Sequence, residues 1–146
     1  MILYLDTSAL VKHYIQEDGS EEISSLIEKA DIAGTVSVAY AEMASALSKS
    51  VRMGWVEQKG AEGAWFDFKE QWRAFTRINI TNSLLEKAGQ LAWEYELRGY
   101  DAVHLAAALT WQEMMETTVS IATYDKELWK AAQKLKMEVL PDGLVK

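Results

Sequence analysis

The sequence predicts an α/β fold, a three-layer α/β/α sandwich with a mainly parallel central sheet, built as one domain over residues 1–146. Three observations predict it. Short apolar or β-branched runs alternate with helical patterns along the whole chain. No two of these runs lie close enough for a hairpin, so right-handed crossovers must join them. A single proline, Pro141, and eight glycines leave most of the chain free to form regular structure.

Ile2-Leu3-Tyr4-Leu5 is an apolar run ending at Asp6, which reads as a fully buried strand. A helix follows over residues 8–15. A second opens at Asp18-Gly19-Ser20-Glu21, whose Asp and Glu have capping-box spacing. Residues 34–38 form a short strand that leads into a long apolar helix, 38–53, closed by Gly54. Residues 56–75 are helical, with Trp65, Phe68, Trp72 and Phe75 at helical spacing. A strand at 77–80 precedes a second capping box, Ser83 to Glu86, and a helix running to Arg98 and ending at Gly99. The helix from Asp101 to residue 116 is apolar nearly all round, which places it in the core. A β-branched strand at 119–123, a helix at 126–135 and a strand at 137–140 complete the chain.

Composition narrows the chemistry. There are 146 residues, 49% of them hydrophobic and 25% charged, which is ordinary globular usage. No cysteine is present, which excludes disulfides, Fe–S clusters, thiol catalysis and cysteine zinc sites. Two histidines, His13 and His104, are too few for a His-rich zinc site. The apolar start is interrupted by Asp6 with no basic stretch before it, so no signal peptide is expected, and no run is long enough to span a membrane. The expectation is a soluble cytoplasmic domain. Fifteen Lys and Arg against 22 Asp and Glu give a net charge of −7. A general nucleic-acid binder is usually basic, so any contact with nucleic acid must be local, transient or bridged by a cation.

Phosphate-binding glycine loops and nucleophile-elbow motifs are absent from the sequence. What stands out is four carboxylates in apolar settings: Asp6, Glu42, Asp101 and Asp125. Residues just beyond the carboxyl ends of parallel strands gather at one edge, where ligands bind. Asp6, Asp101 and Asp125 each also stand where a helix N-cap belongs. Capping does not explain Glu42, whose apolar neighbours make an unpaired charge costly. Clustered carboxylates repel, and a hard oxygen-seeking cation, Mg²⁺ or Mn²⁺, would relieve that repulsion. Such equipment suits phosphoryl-transfer chemistry. His104, three residues after Asp101, reads as a hydrogen-bonded core histidine. The aromatic stripe reads first as core and alternatively as a partner interface.

Four segments in order carry a resemblance: Leu5-Asp6-Thr7-Ser8-Ala9-Leu10-Val11-Lys12, Ala41-Glu42-Met43, Tyr100-Asp101-Ala102-Val103-His104-Leu105-Ala106-Ala107-Ala108, and Ala122-Thr123-Tyr124-Asp125-Lys126-Glu127-Leu128. Together they resemble the PIN domain, and more narrowly the VapC-type toxins of toxin–antitoxin pairs, over essentially the whole chain. The resemblance implies a Mg²⁺- or Mn²⁺-dependent endoribonuclease held inactive by a cognate antitoxin. It puts Asp6 and Asp101 as direct metal ligands, Glu42 and Asp125 acting through waters or a second ion, and Ser8 and Thr123 as supporting hydroxyls. Lys12, Lys49, Lys126 and Lys130 are the basic residues near these motifs and the candidates for RNA contact. Trp65, Phe68, Trp72 and Phe75 are candidates for the antitoxin interface, with an arginine of that partner entering the acidic pocket. Expected partners are RNA, the antitoxin and a second copy of the chain in a homodimer. The alternatives are a PIN nuclease of RNA processing without an antitoxin, or a receiver-like acidic binding module. A receiver carries paired acids early in the chain, and a haloacid-dehalogenase-type phosphatase needs a second Asp where Ser8 stands.

Overall fold

The computed structural model describes residues 1–145, and the order of its elements follows the alternation in the sequence. They are β1 (Ile2–Leu5), α1 (Thr7–Tyr14), α2 (Ser20–Lys29), β2 (Ile32–Val36), α3 (Ala39–Arg52), α4 (Gln58–Gln71), β3 (Thr76–Ile78), α5 (Asn82–Tyr95), α6 (Gly99–Met115), β4 (Val119–Ala122), α7 (Lys126–Lys134) and β5 (Glu138–Leu140). A 3₁₀ turn at Trp72–Ala74 follows α4. The five strands are all parallel, in the order β3-β2-β1-β4-β5.

The sheet separates two apolar cores, which makes the fold three-layered. Strand β1 alternates between them: Leu3 and Leu5 face the layer with Leu10, Ile23, Met43 and Phe68, whereas Tyr4 faces the layer with Leu84, Leu105, Trp111 and Leu128. Helices α1 to α4 thus cover one face, and α5 to α7 the other. No helix among the described residues is long and apolar enough to cross a membrane.

Several boundaries differ from the sequence reading, each for a local reason. Strand β2 is Ile32–Val36 rather than 34–38, because Ser37 turns the chain and its N–H donates to the Ile78 carbonyl. Gly34 therefore sits inside the strand, where the ring of Trp111 leaves no room for a side chain: a Cβ there would lie 2.7 Å from Trp111 and 2.9 Å from the Thr76 carbonyl oxygen. The capping boxes at 18–21 and 83–86 do not form. Helix α2 starts after Gly19 without a side-chain cap, and α5 is capped by Thr81, whose hydroxyl accepts from Leu84 N–H. Gly99 begins α6 instead of ending α5. The left-handed turn that closes α5 is taken by Glu96, at φ 54°. Asp101 is thereby shifted from the cap position into the first turn of α6, with Arg98 as the cap residue.

Candidate active site

The chain runs outward from β1 through β2 to β3, and then returns to the other side of β1 to add β4 and β5. The switch point lies between β1 and β4, and parallel sheets bind ligands beyond the carboxyl ends of strands at such a point. Asp6 directly follows β1, and Asp125 lies three residues beyond the end of β4. Four helices start near this edge with an acid apiece: Asp6 caps α1, Asp125 caps α7, and Glu42 and Asp101 lie in the first turns of α3 and α6. The positive ends of the helix dipoles favour those acids at these positions. All four carboxylates line one cleft of about 200 Å³, with Thr7, Ser8, Arg98, Tyr100 and His104.

Asp6 is the most enclosed of the four, 3% exposed. Its Oδ1 accepts from Ser8 Oγ at 2.7 Å and from Ala9 N–H at 3.0 Å; its Oδ2 accepts from Thr123 Oγ1 at 2.5 Å. Two oxygens offer about four acceptor positions, so one on Oδ2 remains. Burial raises the Asp6 pKa, an effect that His104 and these hydrogen bonds reduce without cancelling. Ser8 also ties α1 to the segment after β4, and Thr123 braces that segment internally. Ser8 Oγ accepts from Tyr124 N–H at 2.9 Å, and Thr123 Oγ1 from Asp125 N–H at 3.0 Å.

Glu42 is held by a separate set of partners. Its Oε1 accepts from Thr7 Oγ1 at 2.9 Å and from His104 Nε2 at 2.8 Å. The other imidazole nitrogen is hydrogen-bonded to the hydroxyl of buried Tyr4 at 2.7 Å. Burial pushes the Glu42 pKa up, but His104 and Thr7 outweigh it and the net shift is down. His104, 2% exposed, is thus the bonded core histidine of the sequence reading, and it also orients a carboxylate of the cleft.

The remaining pair is bridged. Arg98 Nε donates to Asp101 Oδ2 at 3.0 Å, and its terminal nitrogen to Asp125 Oδ2 at 2.6 Å. Asp125 Oδ1 meanwhile caps α7 by accepting from Leu128 N–H at 3.0 Å. Burial raises the pKa of Asp101, and the contact with Arg98 only partly opposes that rise. The repulsion expected within the cluster is therefore relieved on this side by the chain's own guanidinium.

A family model described as the PIN domain matches residues 3–135. The chain belongs to the PIN-domain family, in its VapC branch. It is 32% identical over 143 residues to Ribonuclease VapC45 and to Ribonuclease VapC49, both of Mycobacterium tuberculosis, an alignment covering 98% of this chain and 97% of each relative. Ribonuclease VapC3 of Pyrobaculum aerophilum is 28% identical over 110 residues, covering 74% of this chain and 82% of that one. Among solved structures, VapBC2 from Rickettsia felis, crystallised with a DNA fragment from its promoter, superposes with a TM-score of 0.61 at 15% identity, covering 95% of this chain and 97% of that chain. That likeness is one of fold.

In this PIN domain the donor set suits a hard divalent ion. Oxygen donors dominate the cleft, and both nitrogens of its only histidine are engaged. Among the described residues, no three His, Asp or Glu side chains already surround one ion position, so binding would exchange some of the present ties. Of the basic candidates, Lys49 lines the groove that continues from the cleft along α3 and lies 6.0 Å from the ring of exposed Trp55. Lys12 is committed locally, to Glu17, to the Asp18 carbonyl and to the face of Tyr124. Lys126 and Lys130 are exposed on α7, the latter beside Glu127. In the aromatic stripe, Phe68 and Phe75 are buried in the core, while Trp65 and Trp72 are half-buried around Tyr40. Sequence reasoning missed Thr7 and Arg98 as parts of the site. The spacing of Arg98, three residues before Asp101, was the available signal.

Proposed function

We propose that this protein is the ribonuclease toxin of a toxin–antitoxin pair, cleaving RNA phosphodiester bonds with Mg²⁺ or Mn²⁺ held by its four carboxylates. The observation that carries the reading is the convergence of Asp6, Glu42, Asp101 and Asp125 on one cleft from four separate helix starts. The ribonuclease names of the relatives, at 32% identity over nearly the whole chain, support it. Asp6 and Asp101 would hold the ion directly, with Glu42 and Asp125 acting through waters or a second ion. A bound ion of this kind supplies a water of lowered pKa and a positive charge for the phosphate oxygens.

The chain's own residues set up the rest. Ser8 and Thr123 fix Asp6 so that its open acceptor position faces a constant direction. His104, backed by Tyr4, keeps Glu42 ionised and aimed at the cleft. The helix N-termini around the cleft offer a local positive field to a phosphate, despite the net charge of −7. Lys49 and exposed Trp55, on the groove beyond Ser8, offer a charge and a stacking surface to single-stranded RNA. Lys126 and Lys130 add charge on α7.

A second cleft, of about 420 Å³, lies between α3 and α4 and is lined by Leu47, Val51, Ala61 and Trp65. We assign it to an apolar segment of the antitoxin, an assignment in keeping with the VapBC complex that shares this fold. The test of the function is cleavage of single-stranded RNA by the purified protein. Products should form with Mg²⁺ or Mn²⁺ and be lost when EDTA is added. Cleavage undiminished by EDTA would refute the metal-dependent reading.

A further inference from the structure

Asp101 and Asp125 start two different helices, and a single guanidinium joins them. The backbone beneath that guanidinium is anchored. Leu97 is 7% exposed in the core, and the Arg98 carbonyl accepts the Ala102 N–H of α6 at 3.0 Å. The side chain itself is 76% exposed, so it can swing out of the cleft while its backbone stays in place. Arginine does not lose its proton in a protein, so this positive charge is permanent. Its nitrogens occupy Oδ2 of both carboxylates, and these carboxylates are among those proposed to hold a divalent ion.

We infer that Arg98 is the resident counter-cation of the Asp101–Asp125 pair and that divalent metal enters by displacing it. This rests on the metal-dependent reading above. Metal entry and release of the guanidinium are then one exchange. The guanidinium offsets one of the pair's two negative charges until an ion arrives, and the affinity for that ion is lower than the acids alone would give. A permanent structural strap between the starts of α6 and α7 would behave oppositely, because its removal would loosen the carboxylates and weaken metal binding.

The experiment is titration calorimetry of Mn²⁺ into the full-length, chelator-treated protein, as wild type, Arg98→Gln, Arg98→Lys and Lys130→Gln. Exposed ion pairs are individually weak, so Arg98→Gln should bind Mn²⁺ about tenfold more tightly rather than thousands-fold. Arg98→Lys keeps the charge but cannot bridge two carboxylates with one planar fork, so its affinity should fall between the two. It also serves as the test if the Gln variant does not fold. Lys130→Gln makes the same charge change at a lysine of α7 outside the carboxylate bridge and should match the wild type within about twofold. An Arg98→Gln affinity equal to or weaker than wild type, with Mn²⁺ bound by both, would overturn the exchange and leave the metal reading standing. Absence of Mn²⁺ binding in every variant would overturn the metal reading itself, and the exchange with it.

Discussion

Replacing Asp6 by Asn and by Ala separates the charge of this residue from its hydrogen bonds. Both substitutions remove a carboxylate that is 3% exposed and whose pKa burial raises. A raised native pKa means that the folded protein binds the proton more tightly than the unfolded chain. The stability linked to it is complete below the unfolded value and is lost as pH rises through the native one. At neutral pH in EDTA, ionised Asp6 therefore opposes folding, and Asp6→Asn should be at least as stable as wild type. Its advantage should shrink on acidification toward the ordinary carboxylate range. The Asn side chain keeps an acceptor for Ala9 N–H and Ser8 Oγ, and the Thr123 hydroxyl can accept from its amide. Alanine keeps none of this. It forfeits the α1 cap, about 1 kcal/mol, and leaves the fully buried Thr123 hydroxyl without its partner, about 1 kcal/mol more. The Ala variant should thus melt about 4–8 °C below the Asn variant. Thermal denaturation in EDTA, followed by circular dichroism between pH 4 and 7.5, measures both differences. An Asn variant as unstable as the Ala variant, with no pH dependence relative to wild type, would refute the reasoning and make Asp6 a structural cap alone.

Three further outcomes follow from other parts of the molecule. Gly34→Val should lower stability by about 2 kcal/mol in a denaturant titration, because its side chain meets the buried Trp111 ring and the Thr76 carbonyl, neither of which can yield freely; an unchanged midpoint would contradict the packing described. The native pKa of Glu42 is lowered, so its stabilisation is present above the unfolded carboxylate value and disappears as pH falls through the native one; Glu42→Gln should lose stability at pH 7, and its deficit against wild type should shrink as the pH falls through the carboxylate range, in melts extended to lower pH. Ser48 is exposed on the cleft between α3 and α4, so Ser48→Trp should fill that cleft and abolish co-purification with the proposed antitoxin when the two are co-expressed, while RNA cleavage persists. Retained co-purification would move the antitoxin to another surface.

The layered fold was readable because each strand is a compact apolar run and each crossover is long. Leu3 and Leu5 against Tyr4 show the alternation in its simplest form, with opposite faces sent to two cores. The misplaced boundaries share one cause, local signals overruled by tertiary packing. Gly34 looked like the start of a strand but is a clearance for Trp111, and Gly99 looked like a helix stop although Glu96 makes that turn. In the cleft, the four acids were legible because each sits at a strand end or helix start, a position that sequence spacing can locate. Their hydrogen-bond partners were not. Arg98 reaches Asp125 across 27 residues of chain, and His104 joins Tyr4 to Glu42 from the middle of a helix whose composition says only that it is buried. Capping and a place in the cleft are compatible in one residue: Asp6 and Asp125 cap their helices with one oxygen while the other bonds Thr123 or Arg98, and both residues line the cleft.

The central claim is that these carboxylates hold the ion that cleaves RNA, and its most direct measurement is single-turnover RNA cleavage in saturating Mn²⁺ by wild type, Asp6→Asn and Asp101→Asn. Each variant preserves the shape of the cleft and deletes one ligand charge. The account predicts rates lower by at least about 10³-fold, or about 4 kcal/mol of transition-state stabilisation, in proteins whose circular dichroism matches wild type. A folded Asp6→Asn or Asp101→Asn protein that cleaves at nearly the wild-type rate would contradict it.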